Sequence, residues 1–272
     1  MALFRYFSPE DALRVLETGE LMVTPPKYLN DPFECRPVIK CTDPRGFARR
    51  KIDEIMSPDF FESHKSDLPV RTFEEYQSVL RRWGAVLSEL AGIGVAETDS
   101  HVQSRVQDLI SEGWGVICFA ADGLDQKMWA HYASSHQGLV IEFRQNHLLF
   151  SGPSFFEMHY SDEPVVFDAS SQSARENAKL FLSRKRLEWS SERESRLLVE
   201  LAVATVHNLP EGRRYFVPIE PEIVVSVTLG LRTNDQTRRR VIELLRMPQL
   251  VHVKVFKIRL NIETGTFERE PL

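Results

Sequence analysis

Four places in the chain set polar or ionisable side chains beside segments whose composition calls for burial. The first is "FRYFS", with Arg5 and Tyr6 on a short apolar, aromatic run. Alternation along a strand sends the two side chains to opposite faces, so at most one enters a given site. An arginine in such a strand costs free energy unless it is paired or snorkels outward. The second is "KYLNDPFE". Asn30 and Asp31 can hydrogen-bond nearby backbone, and the proline that follows pushes Asp31 out of the α region. This turn presents Asn30, Asp31, Phe33 and Glu34, either as a structural corner or as the lining of a cleft.

The third place is "MWAHYASSHQG". In a helix, Met128, Tyr132 and His136 share one face at i, i+4 steps, and Trp129 and Tyr132 are i, i+3 neighbours. Aromatic groups with a polar tip suit a stacking pocket for a planar ring, or equally a core face. His131 is a candidate general base. His131 and His136 lack the glutamate and spacing of a zincin helix. The fourth place is "KRLEWSSERESRLL", with Lys185, Trp189, Glu192, Glu194 and Arg196. If Glu192 to Arg196 form a strand, Glu192, Glu194 and Arg196 project to one face, with the carboxylates ~7 Å apart. That is either an acid–base edge or a row of solvated ion pairs worth ~0–1 kcal/mol each.

The elements that must hold these groups read as follows. "LFRYF" is a strand. "SPEDALRVLETGE" is a helix with Ser8 as N-cap, Pro9 at the first position and Gly19 as its stop. "LMVTP" is the second strand, and it runs into the Asn-Asp-Pro turn. Helical periodicity dominates from about 42 to 112, with "SPDFFESHKSDLPV" as a loop, so this stretch is expected to be a helical insertion. "WGVICFA" is a buried strand, "DQKMWAHYASSHQ" a short helix and "GLVIEFR" a strand. "FFEMHYS" and "PVVFDA" are short strands, and a helix is expected from about Ser170 to Trp189. "ESRLLVEL", "RRYFVPI", "IVVSVTLG" and "LVHVKVFKIRLN" are strands. Asn234 caps a further helix, and "TGTFEREP" is a tail. The expected architecture is α+β: one mixed-sheet domain spanning 1–272 with a helical insertion.

The 272 residues carry a net charge of −5. This argues against a broad nucleic-acid-binding surface and leaves room for a local basic groove. Cys35, Cys41 and Cys118 form no C-x-x-C pair, and an odd, small count fits a reducing compartment. No apolar run is long enough to span a membrane, and the first residues do not read as a signal peptide. The expectation is a cytoplasmic protein with no membrane partner and no structural metal. Walker, dinucleotide-binding and nucleophile-elbow motifs are absent.

Taken together, "LFRYFS", "NDPFE", "CFA…MWAHYASSHQGLVIEF", "K…W…E-x-E-x-R" and a late "VTLG" before a helix resemble the bacterial domain-of-unknown-function family 2971, from about residue 3 to 260. The resemblance implies that the four places meet in one cleft. At the fold level the layout also resembles ADP-ribosyltransferases, which implies NAD as the nucleotide-like small molecule bound. By that analogy Arg5 binds the phosphates, Trp129 or Tyr132 stacks on nicotinamide, Glu194 holds a ribose hydroxyl and Glu192 orients an acceptor of unknown type. Two other functions compete: a metal-dependent nuclease or phosphohydrolase, with Asp31, Glu34, Glu192 and Glu194 on magnesium, and a non-enzymatic module binding a nucleotide or peptide.

Overall fold

A computed structural model describes residues 2–31, 33–36, 38–40, 50, 53–65, 70–80, 108, 110–168, 180–209 and 212–272. In chain order its elements begin with β1 (Leu3–Phe7), α1 (Pro9–Thr18) and β2 (Glu20–Val23). β3 (Val38–Lys40) and α2 (Pro58–His64) follow, then β4 (Trp114–Ala120), α3 (Gln126–Tyr132) and β5 (Leu139–Phe143). The short strands β6 (Phe155–Glu157), β7 (His159–Tyr160), β8 (Val166–Asp168) and β9 (Arg184–Lys185) lead to β10 (Glu194–Glu200). β11 (Thr205–Leu209), β12 (Gly212–Pro218), β13 (Val224–Leu229), α4 (Asp235–Leu244), β14 (Lys254–Asn261) and β15 (Thr266–Pro271) complete the chain.

The chain divides into two compact units. The first comprises Met1–Cys35, Asp108–Glu163 and Leu182–Leu272. It is α+β, built on an eight-stranded sheet in the order β15-β14-β13-β5-β1-β4-β10-β6. Only β13 and β14 run parallel in that sheet, so it is mixed. A second sheet, β11-β12-β2, carries the end of the opening strand–helix–strand unit. The apolar positions of α1 and α4 bury against one face of the large sheet, with Ile117, Phe119, Leu139, Ile141 and Leu197. The aromatic side of α3 buries on the other face, with Phe4, Tyr6 and Val140.

Local chemistry explains most boundaries. Ser8 accepts the Asp11 N–H at 3.1 Å, and Pro9 needs no donor at the first helical position. Gly19 ends α1 in the left-handed region (φ 66°), donating to the Val15 carbonyl at 2.9 Å. Asn234 caps α4 by accepting from Thr237 N–H at 2.8 Å.

The second unit comprises Arg36–Gln107 and Pro164–Phe181. Much of the expected helical insertion, including 81–107, lies outside the described residues. Within the described part, residues 73–80 are helical, and Phe61, Phe73 and Tyr76 pack together with ring centroids 5.4–6.3 Å apart. The expected loop at "SPDFFESHKSDLPV" instead contains α2: Ser57 accepts from Phe60 N–H at 3.1 Å and Pro58 opens the helix. It is the same Ser-Pro-acid start as α1. β3 and β8 form a parallel pair in this unit.

Three further boundaries differ from expectation. α3 stops at Tyr132, because Ser134, Ser135 and His136 all take positive φ (47°, 54° and 71°). Gly138 then passes so close to β1 that an added Cβ would stand 2.0 Å from the Phe7 carbonyl oxygen. The helix expected to reach Trp189 is interrupted: Arg184 and Lys185 pair with His159 and Tyr160 as parallel strands, and Leu187–Glu192 is a 3-10 turn. Long-range pairing overrides local helix propensity there. The expected tail is β15, antiparallel to β14 across a turn with Gly265 at φ 67°. β14 itself begins at Lys254, not at Leu250.

Candidate functional site

β1 and β4 are neighbours in the large sheet but share a single pair, Phe4 opposite Ala120. β4 instead bridges to the end of β2 through Thr24 and Val116, with reciprocal N–H to carbonyl bonds of 2.9 Å. A cavity of about 240 Å³ lies there, within the first unit. Arg5 and Tyr6 border it from β1, Cys118 and Ala120 from β4, Tyr132 from α3, and Glu194 and Arg196 from β10. Tyr28, Leu29 and Asn30 border it from the turn after β2.

A continuous chain of hydrogen bonds forms its wall and floor. Asn30 Nδ2 donates to Tyr132 Oη at 2.7 Å, and Tyr132 Oη donates to Glu192 Oε1 at 2.7 Å. Lys185 Nζ donates to Glu192 Oε2 (2.6 Å) and Glu194 Oε2 (3.1 Å). Arg196 donates from Nε to Glu194 Oε1 (2.6 Å) and from Nη2 to Glu194 Oε2 (3.2 Å), and its Nη2 also pairs with Glu34. Its Nη1 donates to the Leu182 carbonyl at 3.1 Å, so every guanidinium nitrogen has a partner. Lys185, Glu34, Glu192, Glu194 and Arg196 are all at most 6% exposed.

Charges this deep persist only when paired. Burial acts to raise the Glu194 carboxyl, but Arg196 and Lys185 outweigh it and hold it at about 2. Burial likewise works against the Lys185 ammonium, and the carboxylates of Glu194, Glu34 and Glu192 push it well up. The Glu34 carboxyl is raised by burial in spite of Arg196. Burial pushes the Cys118 thiol up, and Glu194 adds to this, so it is a neutral thiol in the cavity wall.

Glu192 and Glu194 therefore share one partner, Lys185, and both face the cavity. The expected geometry, three residues on one strand, is not what brings them together. Glu192 ends the 3-10 turn and Arg193 takes a left-handed φ of 42° before β10 starts at Glu194. Nor are these solvated ion pairs, since every partner is buried.

Arg5 donates from Nη2 to the Met22 carbonyl at 3.2 Å, while Nη1 is buried with no hydrogen-bond partner. It does not snorkel outward; burial lowers its pKa. Tyr6 borders the cavity too, but its hydroxyl donates to the Asp122 carbonyl (2.8 Å) and its ring meets Trp129 edge-on.

Other expected site residues fall elsewhere. Trp129 is fully buried, with Nε1 donating to the Gly123 carbonyl at 3.0 Å, so it is core and not a stacking platform. His131 is exposed on α3 and does not border the cavity, and His136 leaves the helical face that Met128 and Tyr132 share. Trp189 supports the site from behind, its ring 5.0 Å from Lys185 Nζ. Of the described turn residues Asn30, Asp31, Phe33 and Glu34, Asn30 borders the cavity. Asp31 accepts from Phe33 N–H at 2.9 Å and Glu34 braces Arg196, while Phe33 is 65% exposed under Arg186. Tyr160, whose hydroxyl accepts the Glu194 N–H at 2.8 Å, was not foreseen, and neither was Tyr28. Cys118 faces Arg196 across the β4–β10 register, a pairing that no local sequence signal marks.

Residues 128–197 match the model of a family described as a protein of unknown function, DUF2971. The similarity to this family covers that segment, about a quarter of the chain. The matched DUF2971 segment holds Tyr132, Lys185, Glu192, Glu194 and Arg196, while Arg5, Asn30, Glu34 and Cys118 stand outside it. No curated protein and no solved structure matches the chain. Among the described residues no helix is long and apolar enough to cross a membrane, and no group of three or more His, Cys, Asp or Glu is placed to share a metal ion.

Proposed function

We propose that the cavity binds a nucleotide-like small molecule and that the protein transfers the ADP-ribosyl group of NAD to an acceptor, on an ADP-ribosyltransferase-like core. The observation that carries this reading is the company of Arg5 with Glu192 and Glu194 around one cavity. Arg5 has a guanidinium nitrogen without a partner, and such an orphan donor calls for an acceptor from outside the chain. A substrate phosphate supplies one. Lys185 and Arg196 are poorer phosphate ligands, because their donors are spent on carboxylates.

Tyr132 takes the stacking role, since Trp129 is enclosed in the core. Glu192, which borders the cavity beside Tyr132, accepts a ribose hydroxyl. As the bond from ribose to nicotinamide breaks, its electron pair leaves with nicotinamide and positive charge grows on the sugar. Glu194, held ionised by Arg196 and Lys185, stabilises that charge, with Glu192 beside it. The acceptor bonds to the same sugar carbon and gives its proton to Glu192. Magnesium hydrolysis fits less well, because Lys185 already stands between the two carboxylates where a metal would sit.

Thermal unfolding with about 1 mM NAD tests the reading first. A ligand at ~100 times its Kd adds about 2.7 kcal/mol, roughly 5–10 °C for a chain this size. The shift is expected to vanish in Arg5→Ala. Release of nicotinamide is expected to fall more than about a hundredfold in Glu192→Gln, with the NAD shift retained and EDTA without effect. A wild-type protein with neither shift nor nicotinamide release would sink the proposal. A shift without release favours a non-enzymatic nucleotide-binding module, a reading supported by the full hydrogen bonding of Glu194.

A further inference from the structure

The rim of the cavity differs from its floor. Tyr28 borders the cavity yet is 59% exposed, and two cations stand over its ring: Lys27 Nζ at 5.1 Å and Arg214 Cζ at 5.9 Å from the centroid. Arg213, the next residue on β12, leaves the opposite face of that strand and lies over Tyr215 at 5.3 Å. Among the described residues none of Lys27, Arg213 and Arg214 makes an ion pair with a carboxylate. These are unneutralised cations on a chain whose net charge is −5. An exposed aromatic face flanked by cations without carboxylate partners has a matching partner chemistry: a planar ring to stack, joined to phosphates.

We propose that this rim is the docking surface for a single-stranded nucleic acid, with a base stacked on Tyr28 and flanking phosphates on Lys27 and Arg214. The proposal names the acceptor class for the transferase and in that respect rests on the reading above. It requires no broad basic surface, because a stacking platform with two cations serves a strand of a few nucleotides. A duplex is disfavoured, since its bases are not free to stack on a tyrosine.

Fluorescence anisotropy with labelled 12-nucleotide DNA and RNA single strands, and with the corresponding duplex, tests this without NAD. Saturable binding of a single strand is expected, stronger than that of the duplex, and the DNA and RNA arms identify which strand is preferred. Tyr28→Ala is expected to weaken binding by between about fivefold and a hundredfold. Arg214→Ala is expected to weaken it and to lower the salt slope by about 0.7. Arg259→Ala, on β14 away from the rim, is the control and is expected to bind as wild type. Melting curves establish that each variant is folded. No saturable binding of either strand, or Tyr28→Ala and Arg214→Ala binding as well as wild type, overturns the proposal. Because these titrations contain no NAD, that failure is separate from a missing NAD shift, which speaks only to the transferase reading.

Discussion

The tripeptide Glu-Arg-Glu occurs twice, at 192–194 and at 268–270, with opposite results. In the first copy both glutamates are 6% exposed, and Arg193 turns outward to Asp122 at 3.0 Å. In the second it is the arginine that turns inward: Arg269 donates to Glu142 at 2.9 Å and lies over Phe256, while Glu268 and Glu270 face out. Position in the sheet decides between them. β10 lies between β4 and β6, with Lys185 and Glu34 packed on its inner face, whereas β15 is an edge strand with β14 as its one neighbour. A charge string is thus machinery or surface according to the backbone that carries it: a 3-10 turn and the left-handed Arg193 bring both glutamates inward in the first copy, and the pleat of β15 brings the arginine inward in the second.

The largest effect should come from breaking the buried copy. Arg196→Met leaves the Glu34 and Glu194 carboxylates buried without their guanidinium, a change that typically costs about 3–5 kcal/mol. Denaturant unfolding measures it directly. A loss below about 1 kcal/mol would mean that the two copies do not differ in energy as they do in burial.

Acid should act next, and in a defined window. The folded Glu194 carboxyl is held at about 2, below its ordinary 4.5, so its stabilisation is present above about 4.5 and is lost as pH falls toward 2. At 1.36 kcal/mol per unit this is on the order of 3 kcal/mol. Glu34, raised by burial, acts in the opposite sense: its contribution is greatest below its unfolded value and fades as pH rises through its folded one. Unfolding midpoints from pH 6 to 2 should therefore fall most steeply below about 4.5. A flat profile there would show that Glu194 is not the ion its partners imply.

Much of this arrangement was legible in the residues and some of it could not be. Ser8, Pro9 and Gly19 mark α1 because capping is local chemistry, and the alternation of β10 is visible because one strand's pattern is local too. The site's membership was largely legible for the same reason, since Tyr132, Lys185, Glu192, Glu194 and Arg196 lie in short polar runs beside apolar ones. What joins them was not. Glu34 meets Arg196 across 162 residues, and Lys185 reaches the glutamates only because a two-residue strand pairs with β7 where local propensity favours a helix. Trp129 and Tyr132 look equivalent as i, i+3 aromatics, yet one fills the core and the other lines the cavity. That choice depends on which face of α3 meets β1, which a single segment does not encode.

The smallest effect belongs to the exposed copy, and it completes the contrast. Lys257 Nζ and Glu270 Oε2 are 3.3 Å apart, with side chains 46% and 48% exposed. Water solvates both ends whether or not they meet, and holding two long side chains together costs rotamer entropy, so such a pair contributes only ~0–1 kcal/mol. Glu270→Gln should move the melting temperature by no more than roughly 3 °C. Raising the salt to about 1 M, where the screening length is ~3 Å, should erase even that difference. The buried pairs around Lys185 should keep most of their contribution in the same salt, because buried pairs are screened far less than exposed ones. If Glu270→Gln proved as costly as Arg196→Met, burial would not be what separates the two Glu-Arg-Glu copies, and the backbone argument would have to yield to one based on the strands themselves.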